Sequence, residues 1–307
     1  MARPDAAADD GNSSASLPRL GLILLVLVTL SWGLAWPAMK IVLNEMSAWT
    51  FRTVTIPAGA LVLLAVTRMS GLSLAVPKGR WPALIIVGTI NVGGWQMLSA
   101  LGLAELTSGR AVLVAYTMPV WTSLFSALIL GEALTGRIVA ALMLGMAGVG
   151  LLLWGDLGSM GAEPLGVAFM IAAALSWGLG IVLLKRTVWG MPVLSLATWQ
   201  LIVAAVPIVI LSWALDGIAF APLSGLGWVM LIFVILVPIA FCNWAFFKVV
   251  SLFPANVSAI GTLMIPVIGV TSGALVLGEP VGWPELAALL LIGSAMVLTL
   301  LFPARRR

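Results

Sequence analysis

The feature that most constrains this chain is the recurrence of apolar runs about twenty residues long, the length a helix needs to cross a bilayer core of about 30 Å. Ten such runs can be marked, at roughly 20–43, 48–67, 81–101, 107–130, 136–155, 164–185, 192–215, 225–247, 254–277 and 283–302. They lack the two-residue alternation of outer-membrane strands, so they read as helices. Short turns rich in glycine, proline and charge separate them: Pro77-Lys78-Gly79-Arg80, Gly131-Glu132, Gly161-Ala162-Glu163-Pro164 and Gly278-Glu279-Pro280. The expected fold is an all-α integral membrane protein of ten transmembrane helices. Charged residues make up only 8% of the chain, against about 25% in a soluble domain. A lipid-facing surface explains the deficit, because a charge exposed to hydrocarbon is costly.

Residues 1–18 are small, polar and acidic and read as a disordered tail, and 303–307 read as a basic tail. Asn12-Ser13-Ser14 matches a glycosylation acceptor, a match that a polar tail produces by chance. The first apolar run is read as a helix rather than a signal peptide, because its pattern recurs later in the chain. Cys242 is the single cysteine and excludes an internal disulfide or a cysteine-rich metal site.

Basic residues are sorted by side. Arg3, Arg19, Arg68, Lys78, Arg80, Arg137, Lys185, Arg186, Lys248 and Arg305-Arg306-Arg307 fall on the side of the N-terminus. The other side has Lys40, Arg52 and Arg110, with Asp156, Glu163 and Asp216. Cytoplasmic loops favour Lys and Arg, so both termini are expected in the cytoplasm. The same bias accounts for the basic pI and gives no sign of nucleic-acid binding.

The two halves resemble each other. Ser31-Trp32-Gly33-Leu34 recurs as Ser176-Trp177-Gly178-Leu179, and Lys40 matches Lys185. Met118-Pro119-Val120 and Leu130-Gly131-Glu132 match Ile265-Pro266-Val267 and Leu277-Gly278-Glu279. Gln96 and Asn243 fall in register with this second pair. Five spans in each half, at 19–155 and 164–302, make the halves inverted repeats, a plan that recurs in secondary transporters with the substrate near the midplane. On these residues the chain resembles the drug/metabolite transporter superfamily, in its EamA-type ten-helix branch, and is similar to the YddG-type exporters of aromatic amino acids. The resemblance implies a bacterial inner-membrane exporter of amino acids or related metabolites, working by alternating access.

The chain has no histidine. It has no Gly-x-Ser-x-Gly elbow, no phosphate-binding Gly-rich Lys loop and no segment long enough for a nucleotide domain. An enzyme, a metal site and an ATP-driven pump therefore lack their parts, and no cofactor is expected. The expected partners are a small-molecule substrate and the lipid bilayer, with the protein a monomer or homodimer. Glu45, Glu105, Glu132, Glu279 and Glu285 lie at span ends or in loops. With no mid-span acid to titrate, facilitated movement or exchange stands beside proton coupling. Efflux of lipophilic cations is the alternative function, and it calls for a buried carboxylate that the sequence does not offer.

Trp32, Trp36 and Lys40 share one face of the first helix at a spacing of four, and Trp177 and Lys185 repeat two of these positions. The indoles are candidates for stacking on a flat substrate, although Trp and Lys near span ends are also common interfacial anchors. For Lys40 and Lys185 anchoring is the better reading. Asn91 and Trp95 with neighbouring Gln96, the symmetric Asn243, and Trp199 with Gln200 are further cavity candidates, because an amide is costly against lipid. Tyr116 offers a phenol to the cavity or to packing. Either Arg52 or Arg110 could attract an anionic group, and an interfacial role is the better reading of both. Pro119 and Pro266 are expected to kink equivalent helices. Gly145, Gly148, Gly150 and Gly293 are expected at close helix crossings.

Overall fold

A computed structural model describes residues 19–131, 136–154, 163–217, 222–252 and 255–300. The two tails, Glu132, Asp156 and the side chains of Glu163 and Lys248 lie outside the described residues. Every regular element among the described residues is helical. In chain order these are α1 (Arg19–Leu43), α2 (Ala48–Met69), α3 (Trp81–Val87), α4 (Trp95–Glu105), α5 (Ser108–Ala115), α6 (Met118–Leu130), α7 (Gly136–Trp154), α8 (Glu163–Arg186), α9 (Val193–Leu215), α10 (Gly225–Val234), α11 (Cys242–Leu252), α12 (Ala255–Leu277) and α13 (Trp283–Leu300). A π-helical segment, Gly88–Gly94, joins α3 to α4, and a second, Ile235–Phe241, joins α10 to α11. Seven of the resulting runs are long and apolar enough to cross a membrane, and three shorter apolar helices accompany them.

Local chemistry sets the helix ends. Ser47, Thr107 and Ser224 are extended N-cap residues whose hydroxyls accept from Thr50 N, Arg110 N and Gly227 N. Gly131 closes α6 with φ of 70°, a conformation few residues other than glycine adopt cheaply.

The packing has a regular pattern. Helix α1 lies against α12, and α8 lies against α6; α8 also packs on α4, and α1 on α10 and α11. Helix α2 packs on α9, and α7 on α13. The repeated Trp-Gly step sits at two of these crossings. A Cβ on Gly33 would run into Ile268 of α12, and one on Gly178 would stand 2.9 Å from the Thr122 amide of α6. Only hydrogen fits there, and the adjacent indoles are thereby held at the crossings. Of the four glycines expected at crossings, Gly148 meets Ile292 closely and Gly145 is in ordinary contact, whereas Gly150 and Gly293 have nothing within 4 Å.

The two prolines expected to act alike differ. The chain breaks at Tyr116–Thr117, and Pro119 follows in the first turn of α6, where its missing N–H costs nothing. Pro266 instead lies inside the continuous helix α12.

Two faces are defined by hydrogen bonds between helix ends. The end of α1, the starts of α2, α5 and α10, and the ends of α4, α9 and α12 meet on one face, here called the far face. There Glu279 accepts from Ser108 N at 2.6 Å, Ser108 Oγ at 2.8 Å and Gly109 N at 3.0 Å. Glu45 accepts from Ser224 N at 2.7 Å and Ser224 Oγ at 2.6 Å. Asp216 accepts from Ser47 and Thr50. Arg110 pairs with Glu285 at 2.8 Å. Each of these contacts joins the first half of the chain to the second. On the opposite, near face, Trp199 Nε1 donates to Leu74 O at 2.8 Å and its indole meets Trp81 edge-on.

Candidate functional site

A π-helical turn spaces its hydrogen bonds one residue further apart than an α-turn and leaves carbonyls for other donors. Side chains from across the molecule and from one turn further along take up carbonyls of both π segments. Ser176 Oγ donates to Ile90 O at 2.6 Å, and Trp32 Nε1 donates to Pro238 O at 3.3 Å. Asn243 Nδ2 donates to Ile239 O at 2.6 Å. Asn91 Nδ2 reaches Trp177 O at 3.4 Å. Both repeated tryptophans, and Ser176 before the second, are thus bonded to the π segment of the other half.

Around these segments lie two chambers. The far chamber, about 120 Å³, is lined by Trp32, Trp36, Trp95, Gln96, Trp177 and Asn243 together with Met39, Arg52, Ser99, Tyr116 and Met118. The near chamber, about 90 Å³, shares Trp32, Trp95, Gln96, Trp177 and Asn243 and adds Asn91, Gln200 and Phe246. Its depth follows from Leu184 near the end of α8 and Gln200 near the start of α9. The wall between the chambers is therefore made of three indoles and two amides, of which the sequence repeat pairs Trp32 with Trp177 and Gln96 with Asn243. Trp95 and Trp177 are tilted at 58° with centroids 5.3 Å apart, and Trp32 and Phe246 at 51° and 5.2 Å. Such pairs contribute roughly 0.5–1.5 kcal/mol each beyond their burial.

The structure thus brings Trp32, Trp36, Asn91, Trp95, Gln96, Tyr116, Trp177, Gln200 and Asn243 to the two chambers. It places three other candidates elsewhere. Trp199 turns to the near-face loop and Trp81, one residue and about 100° of helix away from Gln200. Lys40 donates to Leu103 O and Ala104 O, both at 2.9 Å, where a cation complements the negative end of α4. It lines a far-face recess of about 350 Å³ with Glu105 and Glu279, outside the indole chambers. Lys185 is exposed near the end of α8.

Arg52 is the residue that sequence reasoning placed wrongly. Read as interfacial, it is only 1% exposed and lines the far chamber. Its Nε donates to Gln96 O at 2.6 Å and its Nη2 to Ser99 Oγ at 3.3 Å. A sequence signal existed: Arg52 stands one turn inside α2, flanked by Phe51 and the hydroxyls of Thr50 and Thr55, all buried.

The EamA-like transporter family model matches residues 19–154 and again residues 164–301. The chain belongs to this family. It is a membrane transporter of the EamA family, and several relatives carry transporter, efflux-pump or exporter names. It is 29% identical to the uncharacterized transporter YvbV of Bacillus subtilis (strain 168), with 90% of each chain covered. It is 26% identical to a probable amino-acid metabolite efflux pump of Escherichia coli (strain K12), over 91% of this chain and 93% of that one. It is 28% identical to the aromatic amino acid exporter YddG of Ancylobacter novellus, over 89% and 95%. A solved crystal structure superposes on this EamA protein with a TM-score of 0.63 at 23% identity, covering 90% of this chain and 96% of that one, a likeness of fold alone.

Proposed function

We propose that this EamA protein exports amino acids with aromatic or other apolar side chains, and related small metabolites, across a bacterial inner membrane by alternating access. The observation that carries this reading is the divided cavity at the centre of the molecule, walled by indoles and amides from both halves. Indole faces suit a flat apolar side chain, and the amides Gln96, Gln200 and Asn243 suit the polar backbone of an amino acid. The names of the relatives point the same way.

The architecture in this proposal is ten transmembrane helices in two inverted five-helix repeats. Its support is a packing pattern that survives exchange of the halves: α1 on α12 answers α8 on α6, and α2 on α9 answers itself. One constant shift carries the π segment Gly88–Gly94 onto Ile235–Phe241, Gln96 onto Asn243 and Gly131 onto Gly278. The family model also falls once on each half. Both termini are assigned to the cytoplasm by the distribution of Lys and Arg. In this frame the far face opens to the exterior, and the carboxylates that bridge the halves there must release their partners when it opens. A guanidinium in the chamber wall disfavours lipophilic cations as substrates, and among the described residues no carboxylate lines either chamber.

The test is counterflow of labelled L-phenylalanine, L-tryptophan and a panel of other amino acids and organic cations in proteoliposomes, with and without a proton gradient. Flux of aromatic or apolar amino acids supports the reading, and flux confined to organic cations rejects it. Orientation is tested in a Cys242→Ser background. Lys78→Cys should react with an impermeant thiol reagent only from the cytoplasmic side and Gly158→Cys only from outside.

A further inference from the structure

We propose that Arg52 is the carboxylate-binding group of the far chamber, so that the substrate is an organic acid or zwitterion held by its carboxylate with its apolar part among the indoles. This rests on the reading of the chamber as the transport site and names the chemistry that the site recognises.

Four observations carry the proposal. Arg52 is buried, and a guanidinium keeps its charge at every physiological pH. It has no ion-pair partner among the described residues, whereas the half-buried Arg110 is matched by Glu285. A buried charge without a counter-charge is strongly destabilising unless something supplies one. Second, the group is not loose. Nε on Gln96 O and Nη2 on Ser99 Oγ fix the plane of the fork against α4. Third, Nη1 is buried and has no hydrogen-bond partner among the described residues. A protein rarely leaves a charged N–H donor unsatisfied in its interior, and a missing ligand is a standard reason. Fourth, the neighbours fit a carboxylate. The Tyr116 phenol lines the same chamber and makes no hydrogen bond among the described residues, and Ser99 Oγ lies against the fork. Arginine offers a planar fork that matches the two oxygens of a carboxylate, and such charge-assisted bonds are the strong ones. Trp36, Trp95 and Trp177 then face the remainder of the ligand.

Among the described residues the near chamber contains no comparable group. Its polar side chains are amides, Asn91, Gln96, Gln200 and Asn243. A carboxylate therefore has one preferred end of the cavity, which orients the substrate along the transport path.

The experiment is equilibrium binding to the full chain in lipid nanodiscs, using three labelled probes that share a phenyl ring. L-Phenylalanine has both charged groups, 3-phenylpropionate has the carboxylate alone, and phenethylamine has the amine alone. The two carboxylates should bind to the wild type at least about tenfold more tightly than phenethylamine. Arg52→Gln should weaken both carboxylates at least about tenfold and leave phenethylamine within about twofold. Arg52→Lys should recover part of the loss, since it keeps the charge without the fork. Equal affinity of wild type and Arg52→Gln for the carboxylates overturns the proposal. Where Arg52→Gln does not fold, the wild-type ranking and Arg52→Lys decide, and phenethylamine binding as tightly as phenylalanine overturns it. Arg52-dependent binding of 3-phenylpropionate without amino-acid flux in proteoliposomes rejects the amino-acid reading and upholds the subsite. Undiminished phenylalanine flux through Arg52→Gln upholds transport and overturns the subsite.

Discussion

The two chambers are built alike and furnished differently. They share Trp32 and Trp177 from the repeated Trp-Gly steps, Trp95, and Gln96 and Asn243 from just after the two π segments. Beyond that common wall, the far chamber has a guanidinium, a phenol and a hydroxyl, and the near chamber has further amides and Phe246. Residues that the sequence repeat pairs form part of the common wall, and side chains outside that pairing make the chambers unequal. In the proposed carrier a directional pathway for one polar substrate needs such a difference, and Arg52 supplies it. The position reached from it by aligning the starts of α2 and α9 holds the apolar Ala197.

Altering the shared wall should give the largest effect, because it damages both chambers at once. Trp177→Ala removes an indole that faces each chamber and packs on Trp95. A loss of about 2 kcal/mol in phenylalanine affinity, roughly thirtyfold, is expected from calorimetry in nanodiscs. A change below about threefold would remove the wall from the binding site.

Next comes the far-face seam that covers the charged chamber. Glu279→Gln removes the carboxylate that caps α5 through Ser108 and Gly109. A destabilisation of about 1–2 kcal/mol is expected. Faster labelling of a Met39→Cys reporter from the far side, in a Cys242→Ser background, should accompany it. Slower labelling would show that the seam does not hold that side shut.

Ser99→Ala tests the far chamber alone. It removes one partner of Arg52 Nη2 and should cost about 1 kcal/mol of carboxylate affinity while leaving amine binding unchanged. Gln200→Leu is its near-chamber counterpart and should alter flux without altering the preference for carboxylates over amines. If the two substitutions have the same effect on that preference, the chambers are not chemically distinct.

The smallest effect concerns pH. Hydrogen bonds from the Ser224 side chain and then its backbone N–H hold the Glu45 carboxyl below its ordinary range. A group whose folded pKa is lowered stabilises the fold above its ordinary value and loses that contribution as pH falls through the lowered one. Far-face labelling should therefore rise only as pH falls below the ordinary carboxylate range. Glu45→Gln should flatten that rise, and an unchanged rise would assign it to another carboxylate.

Much of the frame was legible in the chain because crossing a bilayer demands length and apolarity, and both are countable. The helices begin and end close to the expected limits, and the repeated Ser-Trp-Gly step led to indoles at the centre. Which way a side chain points was less legible. A helix surrounded by lipid and by apolar neighbours is apolar on every side, so no stripe marks its inner face. Arg52 was assigned to the interface because it stands near a helix end, and Trp199 was assigned with Gln200 because the two are adjacent. Burial of one and rotation of the other depend on neighbours that are distant in sequence. Pro119 and Pro266 share a motif, yet only the first follows a break, at Tyr116–Thr117.

By itself the sequence determined that this chain is a bundle of apolar helices with a repeated pattern. Those properties follow from composition and period, which need no partner to be read. The tertiary structure decided that Gln96 O and Ser99 hold a buried guanidinium with one amine left over, and that amides from opposite halves divide one cavity into two. These are contacts between residues far apart in the chain, and only folding brings them within hydrogen-bonding distance.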